Sequence, residues 1–458
     1  YNLENRRDFL NYLRVKLFGD NLVQNIKPIQ IDRKTIFFEE SSCFELGKIT
    51  LDKEISIFEI KQKSKNDPRI TQFYFAKGNA STEKLGKTVY ETEIADLVKF
   101  AKKEDIELTI VGPEAPLVEG IVDEFNKEGL RIFGAKKAAA LLEGSKAYSK
   151  KFMQDYGIRT AKAKIFDSYN DAVAYVKTQA FPLVIKASGL ASGKGVVICK
   201  DLAEAETTIH DFMIRKVHGD AGIRIIVEEF LRGFEASVIA FSNGEKFFPC
   251  IAVKDYKKLG NGDKGPNTGG MGTVAPNPEF TAAHMEDFVQ NIMNPTIKGI
   301  HDNMLKFKGF IFFGLLVSNN ECYLLEYNMR LGDPETQAIM PLLESNLLDA
   351  INDCIDGKDI ELKFSDKKSV CLVLASGGYP RDFEKGLEIK GIDKVKNSEV
   401  FFAGATYQGS RIVTDGGRVL NLVATGDTYE EARQKVYEDA DAVNFDYAYH
   451  REDIGLVK

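Results

Sequence analysis

Two lysines and three glycines pose the first chemical question. In VIKASGLASGKGVVI, Val184 to Ile198, Lys186 enters a loop in which Gly189, Gly193 and Gly195 surround Lys194. A P-loop needs Ser or Thr directly after that lysine and a helix behind it. Here Gly195 holds the position, and Val196, Val197 and Ile198 follow as a strand-like run. The segment is therefore either a hairpin that lets its backbone close on a phosphate or a plain glycine-rich turn. In the first case, two ammonium groups beside backbone N–H donors would neutralise a polyphosphate and a phosphoryl group in transfer.

Three further clusters could do chemistry. Glu228 and Glu229 end an apolar run, with Glu235 just beyond Leu231 and Gly233; acids at such a chain crossing bind nucleotide amino and hydroxyl groups or simply stay solvated. In CYLLEYN, Cys322 to Asn328, a period of two predicts Leu324, Glu326 and Asn328 on one strand face. A carboxylate and an amide oxygen side by side suit Mg²⁺, which takes one or two protein groups and completes its octahedron with phosphate and water; the alternative is a capped strand end with ion pairs. Arg330, Asp333 and Glu335 follow directly in MRLGDPETQ. Finally, DYKKLGNGDKGPNTGGMG, Asp255 to Gly272, packs three lysines, two aspartates and six glycines into eighteen residues. Such a loop either folds over an anionic substrate or is a solvated linker.

The elements that must position these residues read as α/β. Helix-like ADLVKFAKK, strand-like ELTIVG, a helix and strand-like LRIFG alternate from about Ile94 to Gly134, which predicts a parallel layer. The Pro113-Glu114 loop falls at the carboxyl end of one of its strands, where open α/β sheets bind ligands. A helix is predicted from Ser145 to Tyr156, with Lys146 in its first turn and Tyr148, Phe152 and Tyr156 as a buried stripe. Strands FPLVIKA and GVVICK flank the glycine loop; a helix over AEAETTIHDFMIR and strand IRIIVEEF follow. Two strands join at Ser242-Asn243-Gly244, and GFIFFGLLV pairs with CYLLEYN. The stretch Leu259 to Gly272 is too rich in turn residues to be an element. Short strands and a helix over YEEARQKVYEDADAV close the chain, and residues 1 to 65 show no strand, turn and helix rhythm.

The whole chain excludes several classes. With 458 residues and 44% apolar content it holds buried cores in about three domains. A net charge of -7 without a basic block argues against nucleic acid. The longest apolar run, Gly309 to Val317, is too short to span a membrane. Six cysteines without a C-x-x-C pair fit a reducing cytoplasm and no zinc site.

The order of these signals is specific: helix lysine, strand lysine, glycine loop, paired glutamates, long glycine loop, then E-x-N on a late strand. That order resembles the ATP-grasp ligases. Within them GPEAPLVEGIVDEF, LLEGSKAYSKKFM, KASGLASGKGV, EEFLRGFEAS, GDKGPNTGGMG, EYNMRLGDPETQ, LASGGYP, TDGGRVL and YHREDIG are similar to the phosphoribosylamine-glycine ligase family, from about Asn66 to Leu456. The resemblance implies three parts: an N-terminal Rossmann-like α/β domain (1–143, with 1–65 divergent), an ATP-grasp domain (144–352, with a glycine-loop subdomain at about 160–230) and a small C-terminal domain (353–458). It implies ATP, Mg²⁺ or Mn²⁺, glycine and 5-phosphoribosylamine as ligands, no membrane, and a monomer. Lys146, Lys186 and the Gly189, Gly193, Lys194, Gly195 loop would meet the ATP phosphates; Glu228, Glu229 and Leu231 the adenine; Glu235 the ribose. Glu326 and Asn328 would hold the metal. Asn79, Pro113, Glu114, Asn267, Thr268, Gly269, Gly270 and Asp333 would line the other substrate sites, with Asp255, Lys257 and Arg330 catalytic. Three positions depart from the family pattern. No Gly-Gly-Arg-Glu-His turn opens the chain, Tyr256 stands where the family has His, and Phe402 replaces another His. A ligase with a different acceptor amine, or a nucleotide-binding homologue without activity, are the alternatives.

Overall fold

The alternation read between Ile94 and Gly134 folds as a parallel sheet. The computed structural model describes residues 34–38 (as backbone), 67–76, 78–82, 85–191 and 195–457. Strands β1 (Lys34–Phe38), β2 (Gln72–Ala76), β3 (Lys87–Val89), β4 (Ile106–Val111) and β5 (Ile132–Phe133) lie in the order β3-β2-β1-β4-β5, every pair parallel. Helix α1 (Ile94–Lys103) buries Leu97 and Ala101 against the layer. Helix α2 (Glu114–Glu119) starts at the carboxyl end of β4, beside the point where strand order reverses. Helices α3 (Ile121–Lys127), α4 (Lys137–Gly144) and α5 (Lys146–Asp155) follow. The central strand β1 corrects the expectation that nothing could be assigned before residue 65. KTIFF is too short a run for periodicity to type. The remainder of residues 1–65 lies outside the described residues.

A small antiparallel sheet comes next: β6 (Ala163–Phe166), β7 (Leu183–Ala187), β8 (Val196–Cys199) and β9 (Ile225–Glu229), in the order β6-β9-β7-β8. Helices α6 (Tyr169–Val176) and α7 (Leu202–Met213) cover one face, burying Ala172, Val176, Ile209 and Phe212 against Leu183, Ile185, Ala187 and Val227. The period of two then turns Val184, Lys186 and Glu228 to the opposite face.

The middle of the chain contributes β10 (Phe234–Asn243), β11 (Phe247–Pro249), β12 (Lys254–Asp255), β13 (Lys258–Gly260), β14 (Lys264–Asn267), β15 (Gly272–Ala275), α8 (Ala282–Phe288), α9 (Asn294–Asp302), β16 (Lys308–Ser318) and β17 (Glu321–Asn328). Strands β11-β10-β16-β17 form one antiparallel sheet. Its β16–β17 hairpin turns through Asn319 and Asn320, both left-handed at φ 51° and 63°. Leu259 to Gly272, expected to hold no element, contains the β13–β14 hairpin, and its flanks β12 and β15 join the C-terminal sheet. Backbone pairing across the turn residues overrode their weak strand propensity.

That last sheet adds β18 (Lys368–Ser376), β19 (Glu399–Phe402), β22 (Arg418–Gly426) and β23 (Ala448–Tyr449), while β20 (Ala405–Gln408) and β21 (Arg411–Thr414) pair with each other. The order is β12-β15-β18-β22-β19, with β23 on β18. Helices α10 (Glu335–Ile339) and α12 (Tyr429–Ala440) pack on it, while α11 (Leu347–Ile355) packs on β10 and β16. Among the described residues no helix is long and apolar enough to cross a membrane.

Candidate active site

A cleft of about 290 Å³ opens between the β6–β9 sheet and the β10–β17 sheet. Its first wall is built from α5, β7 and β9. Ser145 caps α5 by accepting the Tyr148 N–H at 3.3 Å, and the Lys146 N–H donates to the Ser188 carbonyl at 2.7 Å. The helix start is thereby tied to the end of β7, with Lys146 and Lys186 both on the cleft. Deeper in, the Glu228 carboxylate takes Lys150 Nζ at 3.0 Å and Lys186 Nζ at 2.9 Å, all three side chains being buried. Burial opposes ionisation of Glu228, but the Lys186 and Lys150 charges outweigh it and hold the carboxyl below its ordinary value. Glu229 accepts the Lys162 N–H at 2.8 Å. Val184, Val196, Ile198, Phe230 and Leu231 line an apolar slot beside these charges.

The facing wall depends on an irregularity in β17. Gly314 of β16 pairs with Glu326 but Leu315 pairs with Leu324, so Leu325 is an extra residue, a β-bulge. The bulge reverses the alternation. Cys322, Leu324 and Tyr327 enter the core, whereas Leu325, Glu326 and Asn328 face the cleft. Leu324 does not share a face with Glu326, contrary to the period-two expectation. The bulged Leu325 carbonyl accepts from Lys186 Nζ at 3.3 Å, which links the two walls. Gly314 leaves room for Glu326: a Cβ there would lie 3.2 Å from Glu326 Cγ.

Beyond β17, Arg330 is buried and fully engaged. Its Nε donates to Glu114 at 3.1 Å, and its Nη2 meets Glu143 at 2.9 Å and Asn328 Oδ1 at 3.2 Å. Glu143 also accepts the Met329 N–H at 2.7 Å. Asp333 is equally committed: Arg418 Nη2 lies at 2.9 Å from its Oδ2, and Gln337 donates to its Oδ1 at 2.9 Å. Asp255, Lys257, Glu235 and Glu335 gather beside them. Lys257 Nζ pairs with Glu235 at 3.2 Å. Burial disfavours its charge, but Glu235, Glu326, Asp255 and Glu335 together raise it well above the ordinary lysine range. Burial, then repulsion from Glu335, pushes Asp255 well above the carboxylate range, and its Oδ1 has no hydrogen-bond partner. Glu335 is raised for the same first reason.

Of the residues singled out from sequence, Lys146, Lys186, Gly195, Glu228, Glu229, Leu231 and Glu235 line the cleft, as do Glu114, Asp255, Lys257, Asn267, Thr268, Gly269, Glu326, Asn328, Arg330 and Asp333. Gly193 and Lys194 lie outside the described residues. Four do not line it. Asn79 is saturated structurally: its Oδ1 accepts the Ser81 and Thr82 N–H groups and its Nδ2 donates to the Phe402 carbonyl. Pro113 is the residue capping α2, Gly189 packs on Ala221, and Gly270 serves a left-handed turn at φ 117°. Tyr256, which stands where the family has His, is buried in the C-terminal core, and Phe402 lies there too. Both departures from the family pattern therefore miss the cleft lining.

Sequence reasoning passed over Lys150, Glu143, Arg418 and Tyr379. A signal existed for Lys150, one helical turn beyond Lys146. Nothing local marks Arg418, whose partner Asp333 is far away in the chain.

Sequence models of phosphoribosylglycinamide synthetase match the chain in three consecutive parts: the N domain at residues 58–143, the ATP-grasp (A) domain at 144–336 and the C domain at 369–457. The chain belongs to the phosphoribosylglycinamide synthetase family. A phosphoribosylamine–glycine ligase of Fusobacterium nucleatum is 46% identical over 406 residues, 87% of this chain and 95% of the relative. One from Clostridium acetobutylicum is 44% identical over 400 residues, 86% and 96%. The crystal structure of phosphoribosylamine–glycine ligase from Thermotoga maritima superimposes with a TM-score of 0.77 at 32% identity, over 92% of this chain and 99% of that one. The biotin carboxylase domain of Hydrogenobacter thermophilus 2-oxoglutarate carboxylase shares the fold at 13% identity, with a TM-score of 0.69 over 92% of each chain. In this synthetase-family chain, the cleft falls between the two sheets of the ATP-grasp part, and the C domain supplies Tyr379 and Pro380 to its rim.

Proposed function

We infer that the chain is an ATP-dependent ligase that joins glycine to 5-phosphoribosylamine in purine synthesis, giving glycinamide ribonucleotide, ADP and phosphate. The observation that carries this reading beyond family membership is the polarity of the cleft: paired ammonium groups on one wall, a carboxylate-rich pocket on the other. The lysines Lys146, Lys150 and Lys186 suit the ATP phosphates, and the apolar slot beside them suits a purine ring. Glu326 and Asn328 present hard oxygens on one face, and no cluster of three or more His, Cys, Asp or Glu able to hold a metal occurs among the described residues. Such a partial donor set fits Mg²⁺, or Mn²⁺, shared with phosphate and water rather than caged by protein. When bound, the ion would neutralise charge on the phosphoryl oxygens.

The reaction would run in two displacements. A glycine carboxylate oxygen attacks the γ-phosphorus, the bond to the β-phosphate oxygen breaks, and glycyl phosphate and ADP result. The sugar amine then attacks the carbonyl carbon, the carbon–nitrogen bond forms, and inorganic phosphate leaves with the carbon–oxygen bonding pair. Asp255, which lines the cleft, would take the proton the amine sheds. Positioning and water exclusion do most of the work, because water would otherwise hydrolyse the acyl phosphate. The test is ADP release by the purified chain: it should require glycine and phosphoribosylamine together and collapse in Glu326→Ala. ADP release indifferent to glycine would defeat the reading.

A further inference from the structure

The hairpin β13–β14 is exposed from Asn261 to Asn267, yet its base carries cleft residues: Lys257 precedes it and Thr268 and Gly269 follow it. The base is closed by the Thr268 N–H donating to the Lys257 carbonyl at 2.7 Å. An isolated two-stranded hairpin of this size is marginal in water. What secures it comes from the far end of the chain.

Arg451 is 0% exposed. Its Nη1 donates to the Lys258 carbonyl at 2.8 Å and to Asp263 Oδ1 at 2.9 Å, so a single nitrogen holds both the first strand and the tip of the hairpin. Its Nε and Nη2 each meet one oxygen of Asp453 at 2.7 Å. That carboxylate in turn accepts the Gly262 N–H at 2.7 Å. The guanidinium also lies 5.1 Å from the centre of the Tyr256 ring. Tyr256 stands between Asp255 and Lys257, the two cleft residues, and its backbone pairs with Gly272 and Met271. Tyr449 adds a hydroxyl bond to the Leu259 carbonyl at 2.8 Å. None of these contacts involves α5, β7 or β9, which carry the lysine wall.

We propose that Arg451, braced by Asp453, is a positioning residue for the non-nucleotide half of the cleft. It sets where Lys257 and Thr268 stand, at the base of the hairpin, and so governs the binding of the glycine and sugar-amine substrates without touching them. The proposal rests on the ligase reading for its substrates, while the clasp itself is a matter of hairpin geometry.

Arg451→Met removes the clasp from the buried side; Asp263→Ala, at a side chain 62% exposed, loosens it from solvent without opening the core. Arg451→Met is expected to lower kcat/KM for glycine and the sugar amine by about tenfold or more, and Asp263→Ala by about threefold, with KM for ATP held within about twofold. Arg451→Lys, which keeps a donor for the Lys258 carbonyl, should recover part of the loss. Amide hydrogen exchange over 257–269 in the ligand-free protein should quicken in Arg451→Met and in Asp263→Ala, at an unchanged melting temperature for the latter. Unaltered exchange and unaltered kcat/KM for glycine and the sugar amine in Asp263→Ala overturn the proposal. So does an equal rise of all three KM values alongside a fall in melting temperature. If the wild type shows no glycine-dependent ADP release, the ligase reading fails, and the exchange measurement still decides the clasp.

Discussion

Two charge clusters face each other across the cleft, and they are built on opposite plans, the first buried and the second partly open at Lys257 and Glu235. On the α5, β7 and β9 wall, Lys150 and Lys186 straddle a single carboxylate, Glu228, leaving positive charge over. On the other wall a single ammonium, Lys257, stands among Glu235, Glu326, Asp255 and Glu335. Each carboxylate answers to its company: Glu228 is held low by two lysines, whereas Asp255 is driven up by burial and by Glu335, and Glu335 by burial and by Asp333. The same residue type thus serves as a fixed anion on one side and a proton holder on the other. On the proposed function, the first wall suits a polyphosphate and the second suits amine chemistry.

Lys186→Met should cut kcat/KM for ATP by about 10²–10³-fold, since a donor aimed at developing phosphoryl charge is worth that much in a water-poor site. Steady-state kinetics check it, and an undiminished ATP response would erase the distinction between the walls. Glu228→Gln leaves two buried ammonium groups facing each other and should cost about 3 kcal/mol of stability, read by denaturant unfolding. The smallest effect comes from the acidic wall. Because the folded-state pKa of Asp255 is raised, the native protein binds more protons than the unfolded chain above the usual carboxylate value near 3.8, and stability is lost as pH climbs through the raised value. Asp255→Asn removes that loss. Its melting temperature should exceed the wild type by about 1–2 °C at pH 8 and by less at pH 5, while turnover falls. A variant less stable at pH 8 would show that the acidic wall is an ordinary ion-pair network.

Much of the site was legible because local rules decide it. Lys146 in the first turn of a capped helix, Lys186 on a strand entering a glycine loop, and Glu326 with Asn328 near a strand end all follow from short-range pattern. The bulge at Leu325 was invisible, since it exists only in the pairing of β17 with β16. Glu143 and Arg418 were passed over for a related reason: each completes an ion pair whose partner, Arg330 or Asp333, is brought near by the fold alone. Asn79 lies outside the cleft lining. Asn at a turn satisfies neighbouring backbone as readily as a ligand, and here it takes Ser81, Thr82 and Phe402.

By itself the sequence determined the element order, the apolar faces, the glycine segments and the chemistry available to the cleft, because these depend on residue type and on periods of 2 and 3.6. Tertiary structure alone decided which carboxylates stay charged, which face Glu326 takes, and that Tyr256 lies under Arg451 while its neighbours Asp255 and Lys257 reach the cleft. Burial and long-range ion pairing are properties of the assembled chain, and they set the protonation and position on which the reaction depends.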